Sequence, residues 1–337
     1  MIANGMKQMK HMILRPLAIA GLALGLWGAS PMLLILLKGA SALGFYTPEG
    51  KLAATVPVGQ HPHEMILSKD GRLLYTTDNG TMRIEHAGSG GNTISIVDVV
   101  ARRKAGEISL GKFHRPHGID LDDSTGRLVV TTELPDQLLL LDPVKRTVVR
   151  TYDTKGKTSH MVTLGPAGKW AYVSNSSSGN VAAVELSTGE VKLIPTGARP
   201  EGSVLSRDGR EVYVANREAA MISVIDTMKN EVTGKIQTGK GPVRIAITPD
   251  GKMLVYAAMH DKRIEFANPA TRKVLGHVAV GGTPVSLTLS PDGKLAFASA
   301  EEADTVYVIS VPDRKLIREI KTAAGAGPDP VLELETQ

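Results

Sequence analysis

The chain has 337 residues, no cysteine and 42% hydrophobic residues, and aromatics make up only 4%. That apolar content supplies a core and excludes a disordered chain, while the missing cysteines exclude disulfides, lipoprotein anchoring, CxxC redox chemistry and c-type haem attachment. The formal charge of +5 includes Lys7, Lys10 and Arg15 from the first segment; without them the chain is nearly neutral, so no basic stripe for nucleic acid is expected.

The first element in chain order is a leader. Lys7, Lys10, His11 and Arg15 form a basic start, Pro16 to Trp27 is an uncharged apolar run of 12 residues, and Gly28, Ala29 and Ser30 are small. This is the layout of a secretory signal peptide over residues 1–30, and it predicts export to the periplasm. Apolar character continues through Met32 to Leu37, so an uncleaved anchor competes with that reading. Pro31 disfavours cleavage after Ser30, and Ala40-Ser41-Ala42 offers a better local site. Cleavage there would remove a strand that the repeat below requires, so maturation near residue 30 is preferred.

Residues 31–337 read as one repeat domain. A turn ending in glycine recurs at Asp70-Gly71, Thr125-Gly126, Ala167-Gly168, Asp208-Gly209, Asp250-Gly251 and Asp292-Gly293. The last five glycines are 42, 41, 42 and 42 residues apart, and a polar insertion around Thr81 to Gly91 stretches the first interval to 55. A fixed period of this length marks a repeat architecture. Within one unit, Gly202 to Ser206 leads into the turn, and Glu211 to Asn216, Met221 to Asp226 and Glu231 to Thr238 follow as strands. Asp-Gly predicts a tight two-residue hairpin with positive φ angles. Six full units run from Gly59 to Gly325, and residues 31–59 with 326–337 supply the length of one more. The expected fold is all-β: a seven-bladed β-propeller of four-stranded blades, with N- and C-terminal strands sharing the closing blade. Such closure hides sheet edges.

Tyr213-Val214-Ala215-Asn216 with Ile222-Ser223-Val224-Ile225-Asp226 carries a family likeness. Tyr172-Val173-Ser174-Asn175 and Ile94-Ser95-Ile96-Val97-Asp98 echo it. In these units the chain resembles the YVTN family of β-propellers over residues 31 to 335. The resemblance implies the fold; it implies no single activity, because the scaffold carries many.

The start of each innermost strand falls at one mouth of the central channel. Around the ring that position reads His63, His117, His160, Glu201, Val243, Val285 and Asp329; each follows proline except His160, which follows Ser159. Three histidines and a carboxylate, His63, His117, His160 and Glu201, suit one divalent ion such as zinc or copper. Repeat units also copy their neighbours, and a histidine after proline can simply satisfy a loop carbonyl. Glu64 and Arg244 flank this level and would orient a ligand or pair with each other. A second ring is expected at Asp78, Glu133, Asn175, Asn216, His260 and Glu301, with both asparagines supporting turns.

Several motifs are absent or incomplete. There is no GxSxG, HExxH or P-loop; Leu67 stands where the second histidine after His63-Glu64 would be. Asp120, Asp122 and Ser124 lack a calcium-loop glutamate, since Thr131 occupies that place. Trp170 alone lies beyond the leader, against tryptophan-docked quinones or sugar platforms. Three functions follow. The first is a periplasmic binding or scaffold propeller for a small ligand, metal or partner protein, expected to be monomeric and off the membrane beyond its leader. The second is a lactonase-like hydrolase, with His117, His160 and Glu201 activating water and Arg244 holding an anionic substrate. The third is a redox-linked propeller like those of nitrous oxide reductase or quinoprotein amine dehydrogenases.

Overall fold

The computed structural model describes Met1, residues 32–83 and residues 86–334. Beyond Met1, the expected leader lies outside the described residues. Every glycine-punctuated unit folds into four short antiparallel strands, and the described residues form seven such sheets. The first strand of each unit is innermost: Pro62–Leu67, His114–Asp122, Ser159–Leu164, Pro200–Leu205, Pro242–Ile247 and Ser286–Leu289 in blades 2 to 7. Successive inner strands touch around a ring. No helix among the described residues is long and apolar enough to cross a membrane.

Blade 1 closes the ring as the sequence predicts. Pro328–Leu334 pairs with Met32–Leu37, with Leu332 opposite Leu34, and Ala42–Tyr46 and Leu52–Pro57 complete the sheet. Met32–Leu37 is thus a central strand of that blade, buried from Leu33 onward.

The core consists of seven layers rather than one centre. Each hydrophobic cluster joins two neighbouring blades, such as Tyr213, Ile222 and Val224 of blade 5 with Ile245, Leu254 and Tyr256 of blade 6. The other six clusters do the same at the other six blade boundaries. Both faces of a blade are therefore covered, which is why middle strands read as apolar runs.

The turns differ from the two-residue hairpin that Asp-Gly suggests. Gly71 is left-handed at φ 69°, but Asp70 is not. Gly71 N–H donates to the Ser68 carbonyl at 2.8 Å, closing a four-residue turn. Ser68 Oγ donates to Asp70 Oδ1 at 2.6 Å, and that carboxylate also accepts from Arg72 N–H. Ser206 with Asp208, Thr248 with Asp250 and Ser290 with Asp292 repeat the arrangement. The hydroxyl two residues before the aspartate makes the longer turn the better-bonded one.

Candidate functional site

In five blades the inner strand starts with an irregularity at the channel. Pairing jumps between Pro62 and Met65, Pro116 and Ile119, Ser159 and Val162, Pro200 and Ser203, and Pro242 and Ile245. A bulge of this kind breaks the alternation and re-aims side chains. In blade 6 two consecutive residues, Val243 and Arg244, both line the cavity.

The seven start positions His63, His117, His160, Glu201, Val243, Val285 and Asp329 line one cavity of about 170 Å³. His117 packs between its neighbours, its ring centroid 3.8 Å from His63 and 3.7 Å from His160, while His63 and His160 are 6.3 Å apart. Hydroxyls of the second strands hold these histidines from behind. Thr77 Oγ1 donates to the His117 carbonyl at 2.9 Å, and Thr131 Oγ1 donates to the His160 carbonyl at 2.5 Å. The same hydroxyls accept the Glu64 and Gly118 N–H groups, so neighbouring blades are locked together at this level.

Burial governs the charges. It pushes the His63 and His117 imidazoles well below their usual value, and it pushes His160 down to about 4 although Glu201 pulls the other way. All three are therefore neutral at pH 7, the form that binds metal. Burial raises Glu133 to about 8 against the nearby Arg115, and raises Asp329 well above the carboxylate range. Burial also works against the charge on Glu301, but Lys38 outweighs it and keeps that carboxylate low.

Ligand-capable atoms gather in two overlapping groups, each with its atoms within 4.8 Å of one another: His117, Glu133 and His160, and His63, Glu64 and His117. Glu64 in the second group is already paired with Arg244 from the far side of the ring. That pair joins blades 2 and 6. Glu201 takes a different place: it lies 3.3 Å from His160 Nδ1 and 3.4 Å from both Arg199 Nε and Arg217 Nη1. Asp329 lies 3.6 Å from His63 Nδ1 and 3.5 Å from Lys38 Nζ, and Lys38 bonds Glu301 at 2.9 Å. Buried Nδ1 atoms of His117 and His160 make no hydrogen bond, nor do the Asp329 carboxyl oxygens.

The expected second ring divides in two. Asp78, Asn175 and Asn216 face the residue before each mouth position and turn away from the cavity. Asp78 accepts from Gly59 N–H, Thr93 and Ser95, while Asn175 and Asn216 donate to backbone and side-chain oxygens nearby. The next residue along lines the cavity instead: Lys38, Asn79, Glu133, Arg217, Met259 and Glu301. His260 lies one place further and is not in the lining. Successive side chains alternate, so one residue of offset decides which side is reached. Lys38, Arg217 and Arg199 escaped the sequence reading; aligning the residue just past each second strand would have found the first two. The insertion adds Thr81, Met82 and Arg83 to the lining.

No family model and no curated protein matches the chain. Solved structures do. A functionally unknown protein from Desulfotomaculum acetoxidans superimposes with a TM-score of 0.76 at 14% identity, over 91% of this chain and 100% of that one. Dihydro-heme d1 dehydrogenase NirN gives 0.65 at 15% identity, over 89% and 74%. Kuenenia stuttgartiensis hydrazine synthase gives 0.65 at 17%, over 77% and 86%. At such identities the likeness establishes the seven-bladed propeller fold and nothing finer.

Proposed function

We propose that this protein is an exported, YVTN-type binding propeller that holds one divalent transition ion, zinc or copper, at its channel mouth. His117, Glu133 and His160 are the ligands, and His63 stands beside them as a fourth donor. One observation carries the reading: imidazoles from successive inner strands meet at 3.7–3.8 Å in a buried setting that keeps them neutral, with Nδ1 of His117 and His160 lacking hydrogen bonds. The stacking of the three rings gathers their nitrogens into one small volume, with those of His117 and His160 within 4.8 Å of a Glu133 oxygen. A tetrahedral ion with bonds of about 2.0–2.1 Å needs ligand atoms roughly 3.3 Å apart. Small side-chain rotations from the observed grouping supply that.

The surroundings support the assignment. Asp329 beside His63 is a carboxylate of the kind that orients a ligating ring through its second nitrogen. The leader layout and the YVTN-like repeats support export. The binding reading is preferred to hydrolysis because Arg244, the residue that would hold an anionic substrate, is paired with Glu64.

Elemental analysis of untagged protein, purified from periplasm without chelator, tests this. About one zinc or copper per chain is expected, lost in His117→Ala and in His160→Ala and retained with lower affinity in His63→Ala. Metal at background after incubation with either ion would sink the proposal.

A further inference from the structure

Arg115 is only 7% exposed, and it lies on the inner strand of blade 3, two residues before His117. Where that strand pairs with Arg127–Leu134, His114 faces Leu134 and Pro116 faces Thr132, which sets Arg115 across from Glu133. Residues opposite one another on an antiparallel pair have Cβ atoms about 4.5–5.5 Å apart, within easy reach of long side chains. Arg115 Nη1 stands 4.0 Å from Glu133 Oε2, whereas Glu133 Oε1 is buried and makes no hydrogen bond.

The polar insertion of blade 2 fixes the rest of Arg115. Its Nη2 donates to the Gly88 carbonyl at 2.9 Å and also to the His86 carbonyl, and its backbone N–H donates to the Gly91 carbonyl at 2.8 Å. The backbone of Arg115 is left-handed at φ 52°, a conformation uncommon for a residue with a side chain. Gly90 packs against it so closely that an added Cβ would lie 2.7 Å from Arg115 Cγ. The guanidinium is thus anchored on one side by the insertion and presented on the other to Glu133.

We propose that Arg115 is a positioning residue for the ion: it holds one oxygen of Glu133 so that the other serves the ion beside His117 and His160. This rests on the metal site proposed above, and it gives the insertion a part in that site as the frame that fixes Arg115. Ligating carboxylates are themselves bonded by outer groups that set their orientation, and losing such a group costs about 10–100-fold in metal affinity. The 4.0 Å separation is longer than a charge-assisted bond of about 2.7–2.9 Å. A shift of about 1 Å closes it.

Zinc titration in competition with a chelating dye tests the proposal on the full mature protein, comparing the parent, Arg115→Met, Glu133→Gln and the double variant. Arg115→Met should weaken zinc binding roughly tenfold or more in the parent, but less than about twofold in the Glu133→Gln background, because the residue acts through that carboxylate. Arg115→Lys keeps the charge without the planar fork and should recover part of the loss; it takes the place of Arg115→Met in the cycle if the latter fails to fold. Equal zinc binding by the parent and the Arg115 variant, or the same loss in both backgrounds, would overturn the role of Arg115 and leave the metal site standing. A parent that takes up neither zinc nor copper would remove the metal site and the role of Arg115 with it.

Discussion

Glu133 sits 4.0 Å from Arg115 and is nearly inaccessible to solvent, and its burial makes a sharp electrostatic prediction. Burial raises its folded pKa to about 8, above the ordinary glutamate value of 4.5. The folded state therefore binds the extra proton, and the stability that proton supplies is fully present below about pH 4.5 and lost as pH rises through 8. Gln mimics the protonated side chain. In metal-free protein, Glu133→Gln should match the parent near pH 5 and exceed it by about 2–4 kcal/mol near pH 9. Denaturant melts at the two pH values measure this, and a pH-independent difference would refute it. The histidines act oppositely. With folded values depressed below 6.5, they cost stability as pH falls from about 6.5 towards 4, because the unfolded chain takes up protons that the folded one refuses.

Two devices repeat among the strands. One is the hydroxyl tie at the mouth: Thr131 Oγ1 accepts Gly118 N–H at 2.8 Å and donates to the His160 carbonyl. Thr131→Val keeps the shape and orphans both backbone groups, at about 1–3 kcal/mol. It should also weaken metal binding by roughly tenfold, as the loss of a group that orients a ligand does; unchanged zinc affinity would show that the tie only stabilises. The second device latches the outer strands. Arg146, Arg272 and Arg314 reach back to carbonyls of the preceding blade, at Ala105, Thr233 and Leu275. Glycines clear the way: a Cβ added to Gly234 would lie 1.8 Å from Arg272 Nη1. Gly234→Ala should cost about 1–2 kcal/mol, and Arg272→Ala should cost less in that background than in the parent. Strict additivity in the double-mutant cycle would remove the latch.

For the whole molecule, closure is the decisive contact. Removing residues 326–337 leaves Met32–Leu37 with an unpaired edge and uncovers part of the layer formed by Leu33, Ile35 and Val331. Such an edge invites association with other chains. The truncated protein should aggregate or melt far below the parent, and a peptide of residues 326–337 added in trans should restore a cooperative melt by strand addition. A truncated protein that melts like the parent would mean the other six blades suffice.

Much of this was legible in the chain alone. Repeat spacing, four strands per unit and the split closing blade follow from local signals, because each blade copies one pattern and its boundaries are marked by glycine. The mouth positions His63, His117, His160, Glu201, Val243, Val285 and Asp329 were also legible, since equivalent places in a repeat fall at equal height in a ring. Tertiary structure alone decided which of them meet. The start-of-strand bulge of blade 6 leaves both Val243 and Arg244 on the cavity, so Arg244 could find Glu64, 180 residues away in sequence. A one-residue step along the chain separates Glu133, Lys38 and Arg217 in the cavity from the level of Asp78, Asn175 and Asn216 behind it. Periodicity places a residue on a strand and at a level; pairing register and burial decide its partner and its charge.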